Sequence, residues 1–231
     1  MAWSVIGSKG IMQSLSSTLY LAIVYLLSCS IAGYIQASFV HWLGDKDIEP
    51  TLDPMAYIDP VGFVAAIFFY IGWWKVLPIN TSVAYRYRFP HLILLLMFGI
   101  RAIAHFFLSA IAYFCISAIF GSMALFQMSA IIAQLTAPKR VLFVLLIFLF
   151  FFNIIQTLFQ ALVAITETII IAASGNRPEE WRLSDHLVLI LFPLLMLFLF
   201  GDVMIDKLVK FFVIIEQGIR ILFGLTIGKT A

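Results

Sequence analysis

Two long runs dominated by apolar residues constrain the fold of this 231-residue chain more than any other feature. They extend over Leu19–Val40 and Val141–Ala173, and each exceeds the roughly 18 apolar residues that indicate a membrane-spanning helix. The apolar residues do not alternate with polar ones, as they do in membrane β-barrels, so the spans are predicted to be helical. Composition agrees, because 63% of the residues are hydrophobic and only 11% are charged, whereas soluble proteins carry about 25% charged residues.

The apolar pattern predicts an all-α, polytopic integral membrane protein with about four to six transmembrane helices. Further spans are predicted over Val61–Leu77, Leu92–Phe120 and Leu187–Phe200. As one helix, Val141–Ala173 would be about 50 Å long, whereas the hydrocarbon core of a bilayer is only about 30 Å thick. This run is therefore expected to tilt, break or leave the bilayer.

The chain is divided into an N-terminal segment (residues 1–18), a membrane domain (residues 19–202) and a C-terminal amphipathic helix (residues 203–231). From Asp206 onward, one side of a helix carries Asp206, Lys207, Lys210, Gln217 and Arg220. The other side carries Phe211, Ile215, Leu222 and Leu225. This pattern predicts a helix lying in the membrane interface.

The charge content bears on the possible partners of the protein, and the position of the cysteines bears on its packing. The net charge of +2 comes without a basic patch, so no nucleic-acid partner is expected, and the lipid bilayer is the first predicted partner. Cys29 and Cys115 lie inside apolar runs and are interpreted as buried structural thiols. The balance of Lys and Arg between the loops leaves the orientation open, and the oligomeric state is open as well.

Two segments carry an ordered pattern of Gly, Pro, Trp and Asp. Thr51–Gly62 reads TLDPMAYIDPVG and Gly72–Asn80 reads GWWKVLPIN. They are similar to TLNPLKHIDPIG and GWAKPVPVN of the bacterial site-2 proteases, a family of intramembrane zinc metalloproteases. The motif residues are Asp53, Pro54, Asp59, Pro60, Gly62, Gly72, Trp73, Lys75, Pro78 and Asn80. Phe152–Gln160 is a weaker third match, so the resemblance covers about two-thirds of the chain.

The resemblance implies a zinc site whose residues are substituted here. The family's His-Glu-x-x-His motif sets two imidazoles on one helix face, with Glu over the metal-bound water. The tripeptide LGD at residues 43–45 sets the register and puts Ala32, Gly33 and Gln36 at the three catalytic positions. Thr168 stands at the family's metal-binding Asp. None of the four supplies a zinc ligand or a base, so no metal, cofactor or catalysis is expected.

Polar residues within the predicted spans form a second group of candidates: Arg101, His105, Asn153, Gln156, Gln160 and Glu167. Two interpretations are open for Asn153, Gln156, Gln160 and Glu167, which share one helix face: interhelical hydrogen bonding, or a surface for client binding or conduction. Arg101 and His105 are four residues apart and share a face, and a structural ion pair of Arg101 with Glu167 is predicted there. Arg101 is predicted to be buried near Glu167 or near the stripe of Gln156 and Gln160, because an unpaired Arg at the bilayer centre costs at least about 2.5 kcal/mol. Since the family's prolines are missing, residues 161–168 are expected to stay helical.

The loop residues have structural interpretations too. Asp53 stands where the family has Asn, and the resemblance places Asp53 and Asp59 close to the active site. Capping of backbone amides is enough to explain both. Trp73 and Trp74 beside Lys75 resemble an aromatic belt at a membrane interface.

These patterns favour a catalytically inactive relative of the site-2 proteases that binds a transmembrane client or membrane partner without cleaving it. The resemblance also implies location in a bacterial inner membrane. A structural, channel or transporter subunit of a membrane complex is the alternative. An active metalloprotease would need three atypical ligands and a base near Ala32–Gln36, and the sequence offers no such set.

Overall fold

The computed structural model describes residues 11–69, 72–121, 124–125, 127–174 and 205–218, with the single positions 195, 199 and 203. The helices are α1 (Ile11–Leu43), α2 (Pro60–Phe69), α3 (Pro90–Phe120), α4 (Met128–Gln134), α5 (Ala137–Ser174) and α6 (205–218). Two short 3-10 helices, Pro54–Ala56 and Thr81–Arg86, lie between α1 and α3. The all-α prediction is confirmed, since the described residues contain only one isolated β-bridge, between Ile58 and Trp74.

Three helices are long and apolar enough to cross a membrane: Ser17–Leu43, Pro90–Phe120 and Ala137–Ala173. α3 packs along α5, and α1 contacts both of them. The described residues therefore support a membrane protein, and their three candidate spans do not reach the predicted four to six. The expected span over Leu187–Phe200 lies almost wholly outside the described residues, as do residues 1–10, most of the loop before that span and residues 219–231.

Local sequence explains how these helices begin, continue and end. α3 starts with Pro90, which is tolerated where the backbone N–H has no helical partner. α3 ends at Gly121, whose φ of 94° suits glycine. α5 is helical through all its 38 residues, so the expectation that residues 161–168 stay helical is confirmed. Cys29 is buried as expected, whereas Cys115 is only partly buried, and both are free thiols.

The predicted membrane-spanning helix over Val61–Leu77 is wrong. α2 has only 10 residues, about 15 Å, and ends at Phe69. The chain then returns in an extended form, and the N–H of Lys75 donates to the Tyr57 carbonyl at 2.9 Å. Because Tyr57 lies just before α2 and Lys75 lies near the end of the extended part, the chain returns to the place where it started. We call residues 60–69 and 72–79 the re-entrant segment.

The re-entrant segment reaches the middle of the three long helices. Trp74 is 5% exposed, stacks on the His105 ring at 5.4 Å and lies 4.5 Å from the Tyr25 ring. His105 is the midpoint of α3. The interpretation of Trp74 as part of an interfacial belt is therefore wrong, since this side chain belongs to the core.

α6 runs alongside α3. The Phe212 ring stacks on Phe106 and Tyr113, with centroid distances of 5.3 and 5.6 Å. One turn later, the Glu216 carboxylate accepts hydrogen bonds from the hydroxyls of Tyr113 and Ser117. Contacts advance in the same direction on both helices, so α6 and α3 are parallel.

The packed face of α6 differs from the predicted apolar side. Phe211, which was assigned to the apolar side, is 46% exposed, whereas Phe212 and Glu216 are buried. The predicted apolar side was derived for a helix that lies in a lipid interface. In the structure α6 instead packs with Phe212 in an aromatic groove of α3 and α5. This packing differs from that of a helix lying alone in the interface.

Candidate functional site

Polar side chains of the long helices hydrogen-bond to the backbone of the re-entrant segment. The Tyr25 hydroxyl donates to the Trp73 carbonyl at 3.0 Å, and the Gln156 amide donates to the Gly72 carbonyl at 2.9 Å. Non-helical backbone at membrane depth needs such partners, because lipid tails offer none. These contacts explain why a polar residue such as Gln156 occurs within an apolar helix.

Two motif glycines let the re-entrant segment pack this closely. A Cβ on Gly62 would lie 2.0 Å from the Trp73 carbonyl oxygen, and a Cβ on Gly72 would lie 2.8 Å from the Tyr25 ring. Real Cβ atoms essentially never come that close. Both glycines are therefore required by close packing against backbone and side-chain atoms rather than by chemistry.

Motif aspartates cap the short helices. Asp53 accepts a hydrogen bond from the Met55 N–H at 3.0 Å, and Asp59 accepts one from the Gly62 N–H at 2.7 Å. Each is followed by a proline at the first helical position, a common start for a helix. The capping interpretation is confirmed for both residues. The prolines concerned are Pro54 and Pro60.

The second motif is tied to the end of α1. Asn80 caps the following 3-10 helix by accepting from the Ser82 N–H at 3.1 Å. Its own N–H donates at 2.7 Å to the carboxylate of Asp45, which is 2% exposed. The LGD tripeptide and the GWWKVLPIN segment are thus in direct contact. The side chains of Lys75 and Pro78 are exposed.

A hydrogen-bonded network crosses the centre of the protein. The Asn153 carbonyl oxygen lies 2.7 Å from His105 Nδ1, and the Asn153 amide donates to the Ser28 hydroxyl at 3.0 Å. All three side chains are fully buried. For these residues, the interpretation as interhelical hydrogen bonding is confirmed.

A pocket lies between this centre and the end of the bundle where α1 ends and α3 begins. Its polar lining consists of Gln36, Arg101, Gln160 and Glu167. Its apolar lining consists of Val76, Leu77, Ile79, Phe98 and Val163. The volume is about 30 Å³, enough for roughly two water molecules. Each of the four polar side chains is at most 6% exposed.

The polar side chains of the pocket are incompletely satisfied. The Gln36 amide donates to the Met97 carbonyl at 2.8 Å, but Gln36 Oε1 and Arg101 Nε have no hydrogen-bond partner among the described residues. An unpaired buried polar group costs about 1–3 kcal/mol. A polar group entering the pocket would remove part of that cost.

Arg101 is buried rather than exposed to lipid, as predicted. Both of its terminal nitrogens lie 3.4 Å from the Lys75 carbonyl oxygen, at the long end of the hydrogen-bonding range. Glu167 lines the same pocket, but its carboxylate does not come within the 4.0 Å of Arg101 that defines an ion pair. The expected proximity is present without direct pairing.

The four residues that the resemblance aligns with the catalytic positions of the site-2 proteases lie at different places. Gln36 lines the pocket, and Ala32 is 1% exposed. Gly33 packs on the ring of Tyr57, which a Cβ would meet at 2.4 Å. Thr168 donates to a carbonyl of its own helix at 2.7 Å. These groups do not fit zinc, and no cluster of three or more His, Cys, Asp or Glu occurs within the part of the chain that the structure describes.

Comparisons of the chain with family models, with curated proteins and with solved structures found no match. The site is interpreted from its own geometry.

Sequence reasoning missed Tyr25, Ser28 and Trp74, which the structure places among the polar residues of the interior. The hydroxyl groups of Tyr25 and Ser28 inside an apolar run are a signal that could have identified them, because a hydroxyl at membrane depth needs a hydrogen-bond partner within the protein. No comparable signal exists for Trp74, because its neighbours Trp73 and Lys75 suggest an interface equally well.

Proposed function

We propose that this chain is a non-catalytic membrane protein that binds a membrane-embedded segment of a partner protein. We place the contact at the pocket lined by Gln36, Arg101, Gln160 and Glu167, whose volume of about 30 Å³ admits a single small polar group of that segment rather than the segment itself. The observation that carries the proposal is the pair of unsatisfied buried atoms, Gln36 Oε1 and Arg101 Nε. Other buried atoms without a described partner, among them His105 Nε2, Gln156 Oε1 and Trp74 Nε1, lie nearer the centre of the bundle, whereas Gln36 and Arg101 line a pocket that an outside group could enter.

The chemistry of the pocket favours a peptide over a lipid tail. A hydrocarbon chain cannot accept from a guanidinium or donate to an amide oxygen, whereas a peptide segment can do both. Arg101 supplies donors, Glu167 supplies acceptors, and Gln36 and Gln160 can supply either. The apolar side chains of Val76 and Leu77 complete the lining and suit the rest of a membrane segment.

The resemblance to the site-2 proteases agrees with this proposal. It assigns Gln36 and Thr168 to the catalytic site of that family. In this chain Gln36 and Glu167, the neighbour of Thr168, contribute to one pocket. A pseudoprotease that keeps the cleft and has lost the metal accounts for both observations. On the same resemblance we assign the protein to a bacterial inner membrane. We propose a fourth span over Leu187–Phe200, which the apolar sequence pattern predicts, beyond the three candidate spans.

Affinity purification in mild detergent, followed by mass spectrometry, tests the proposal. The full chain is compared with the double variant Arg101→Leu/Glu167→Leu, which removes both charges together, and with the exposed-loop control Glu49→Gln. We expect the recovery of a specific membrane protein to fall at least about tenfold in the double variant, equivalent to about 1.4 kcal/mol. Glu49→Gln should have no effect. Equal recovery with all three proteins would contradict the proposal, provided that gel filtration shows each variant to be folded.

A further inference from the structure

The outer face of α6 carries charge level with the middle of α3. Phe212 lies between Phe106 and Tyr113, and Glu216 lies between Tyr113 and Ser117. Since the helices run parallel, each α6 residue lies level with the α3 residue about 102 positions earlier in the chain, as the Phe212 contacts indicate. This offset brings Lys207 close to the level of His105, the midpoint of Pro90–Phe120.

Charge at that depth is costly when it faces lipid. Asp206, Lys207 and Lys210 are all exposed. Translocon-insertion scales assign about 2.5–3.5 kcal/mol to a single charged side chain at the centre of a membrane helix. The headgroups begin about 15 Å from the centre of a hydrocarbon core that is about 30 Å thick, which is farther than a lysine side chain extends.

Only part of this charge is neutralised within α6. Lys210 and Asp206 form an ion pair at 2.7 Å, with side chains 69% and 60% exposed. Lys207 has no ion-pair or hydrogen-bond partner among the described residues. Among the described residues of this face, one positive charge is therefore left without a counter-charge. On the same outer face, Ile214 is 66% exposed.

We propose that this face binds a membrane helix of another protein, and that an acidic side chain of the partner at mid-membrane depth pairs with Lys207. The surface is separate from the pocket of Gln36 and Arg101, and the inference does not depend on the pocket being a binding site. An Asp or Glu on the partner would neutralise the surplus charge, and apolar residues of the partner would cover Ile214.

A second copy of this chain fits the face less well. Copies in one membrane share their orientation, so the two-fold axis of a symmetric dimer lies along the membrane normal. Helices facing each other across that axis are parallel, and residues near the axis meet their own counterparts. Lys207 would then face Lys207, which repels. The charge pattern selects an acidic partner of different sequence.

Binding to defined helices tests the inference. The full chain is labelled with a fluorescent donor and placed in nanodiscs of neutral phosphatidylcholine. Acceptor-labelled polyleucine helices are then added, each with a single central Glu, Gln, Leu or Lys, and energy transfer is measured. We expect the wild-type chain to prefer the Glu helix to the Leu helix by at least about tenfold. The Gln helix should show little of this preference, because it lacks the charge.

Variants assign the preference to Lys207. Lys207→Leu should abolish it, and Lys207→Glu should reverse it in favour of the Lys helix. Lys139→Leu, which removes an exposed charge at the start of α5, should leave it unchanged. Absence of a Glu preference in the wild type, or its retention in Lys207→Leu, overturns the inference. If Arg101→Leu abolishes the preference while Lys207→Leu does not, binding belongs to the pocket, and the proposed function stands without this second surface.

Discussion

Gly62 faces the carbonyl oxygen of Trp73 so closely that a methyl group on Gly62 would lie 2.0 Å from that oxygen. The same Gly62 N–H is held by the Asp59 carboxylate at 2.7 Å, so α2 has little freedom to move away. Gly62→Ala should therefore destabilise the protein by about 1–3 kcal/mol, the usual cost of overpacking a core. Thermal inactivation in detergent measures the change as a lower midpoint temperature.

Gly99→Ala is the matched control for Gly62→Ala. A Cβ on Gly99, inside α3, would lie 3.8 Å from the Cβ of Ala164, an ordinary contact. Since alanine favours a helix over glycine by about 1 kcal/mol, this variant should be neutral or slightly stabilising. Equal losses in the two variants would show that α2 does not pack against the Trp73 backbone as described.

The contacts of Asn153 predict a coupled loss of stability. Asn153→Leu leaves both His105 and Ser28 without a partner described here, at about 1–3 kcal/mol for each unpaired buried group. Replacing His105 by Leu as well removes one of the two unsatisfied groups, so the double variant should lose less than the sum of the single losses. A double-mutant cycle in detergent measures this coupling. Additive losses would show that His105 and Asn153 do not interact.

The energetic coupling between Arg101 and Glu167 is expected to be weaker than that between His105 and Asn153. They share the pocket without forming an ion pair, so a cycle of Arg101→Leu and Glu167→Gln should give a coupling of at least about 0.5 kcal/mol. Glu167→Gln alone should lower the yield of folded protein more than the double variant does, because it leaves a buried Arg uncompensated. Exposed Glu49→Gln combined with Arg101→Leu should be strictly additive. If the cycle of Arg101→Leu and Glu167→Gln is additive too, Arg101 and Glu167 do not interact energetically.

The residues at the four positions that the resemblance aligns with a zinc site predict that purified protein contains no stoichiometric zinc. Ala32 and Gly33 have no side-chain donor atoms, and Gln36 and Thr168 are poor zinc ligands. Elemental analysis of protein purified without added chelator should give far less than one zinc per chain. A value near one, removable by chelator with loss of fold or binding, would refute the assignment of a lost metal site.

The long membrane helices were predictable from the sequence, because the apolar composition of a run determines whether it can span a bilayer. Runs such as Val141–Ala173 admit little besides a membrane helix, and that run lies within α5. The burial of Arg101 was predictable too, because its desolvation cost leaves few other environments. Capping by Asp53 and Asp59 followed from local turn chemistry alone.

The re-entrant segment was not predictable from apolar content. Val61–Leu77 is apolar enough for a short span, and only the close approach of Gly62 and Gly72 to other backbone and side-chain atoms shows that the chain turns back. Both residues could be read as ordinary membrane glycines. The face of α6 was misjudged for a similar reason, since stacking of Phe212 on Phe106 and Tyr113 is a tertiary contact that helical periodicity alone does not contain.

The central claim is that the pocket binds a membrane segment of a partner, and site-specific photo-crosslinking in cells tests it most directly. A photoreactive amino acid replaces Val163, which lines the pocket, or Ile165, which is 46% exposed on the same helix. The account predicts a discrete protein crosslink from position 163 that disappears in the Arg101→Leu/Glu167→Leu background, and no such crosslink from position 165. Crosslinks of equal strength from both positions, or a crosslink from position 163 that survives the double substitution, would contradict it.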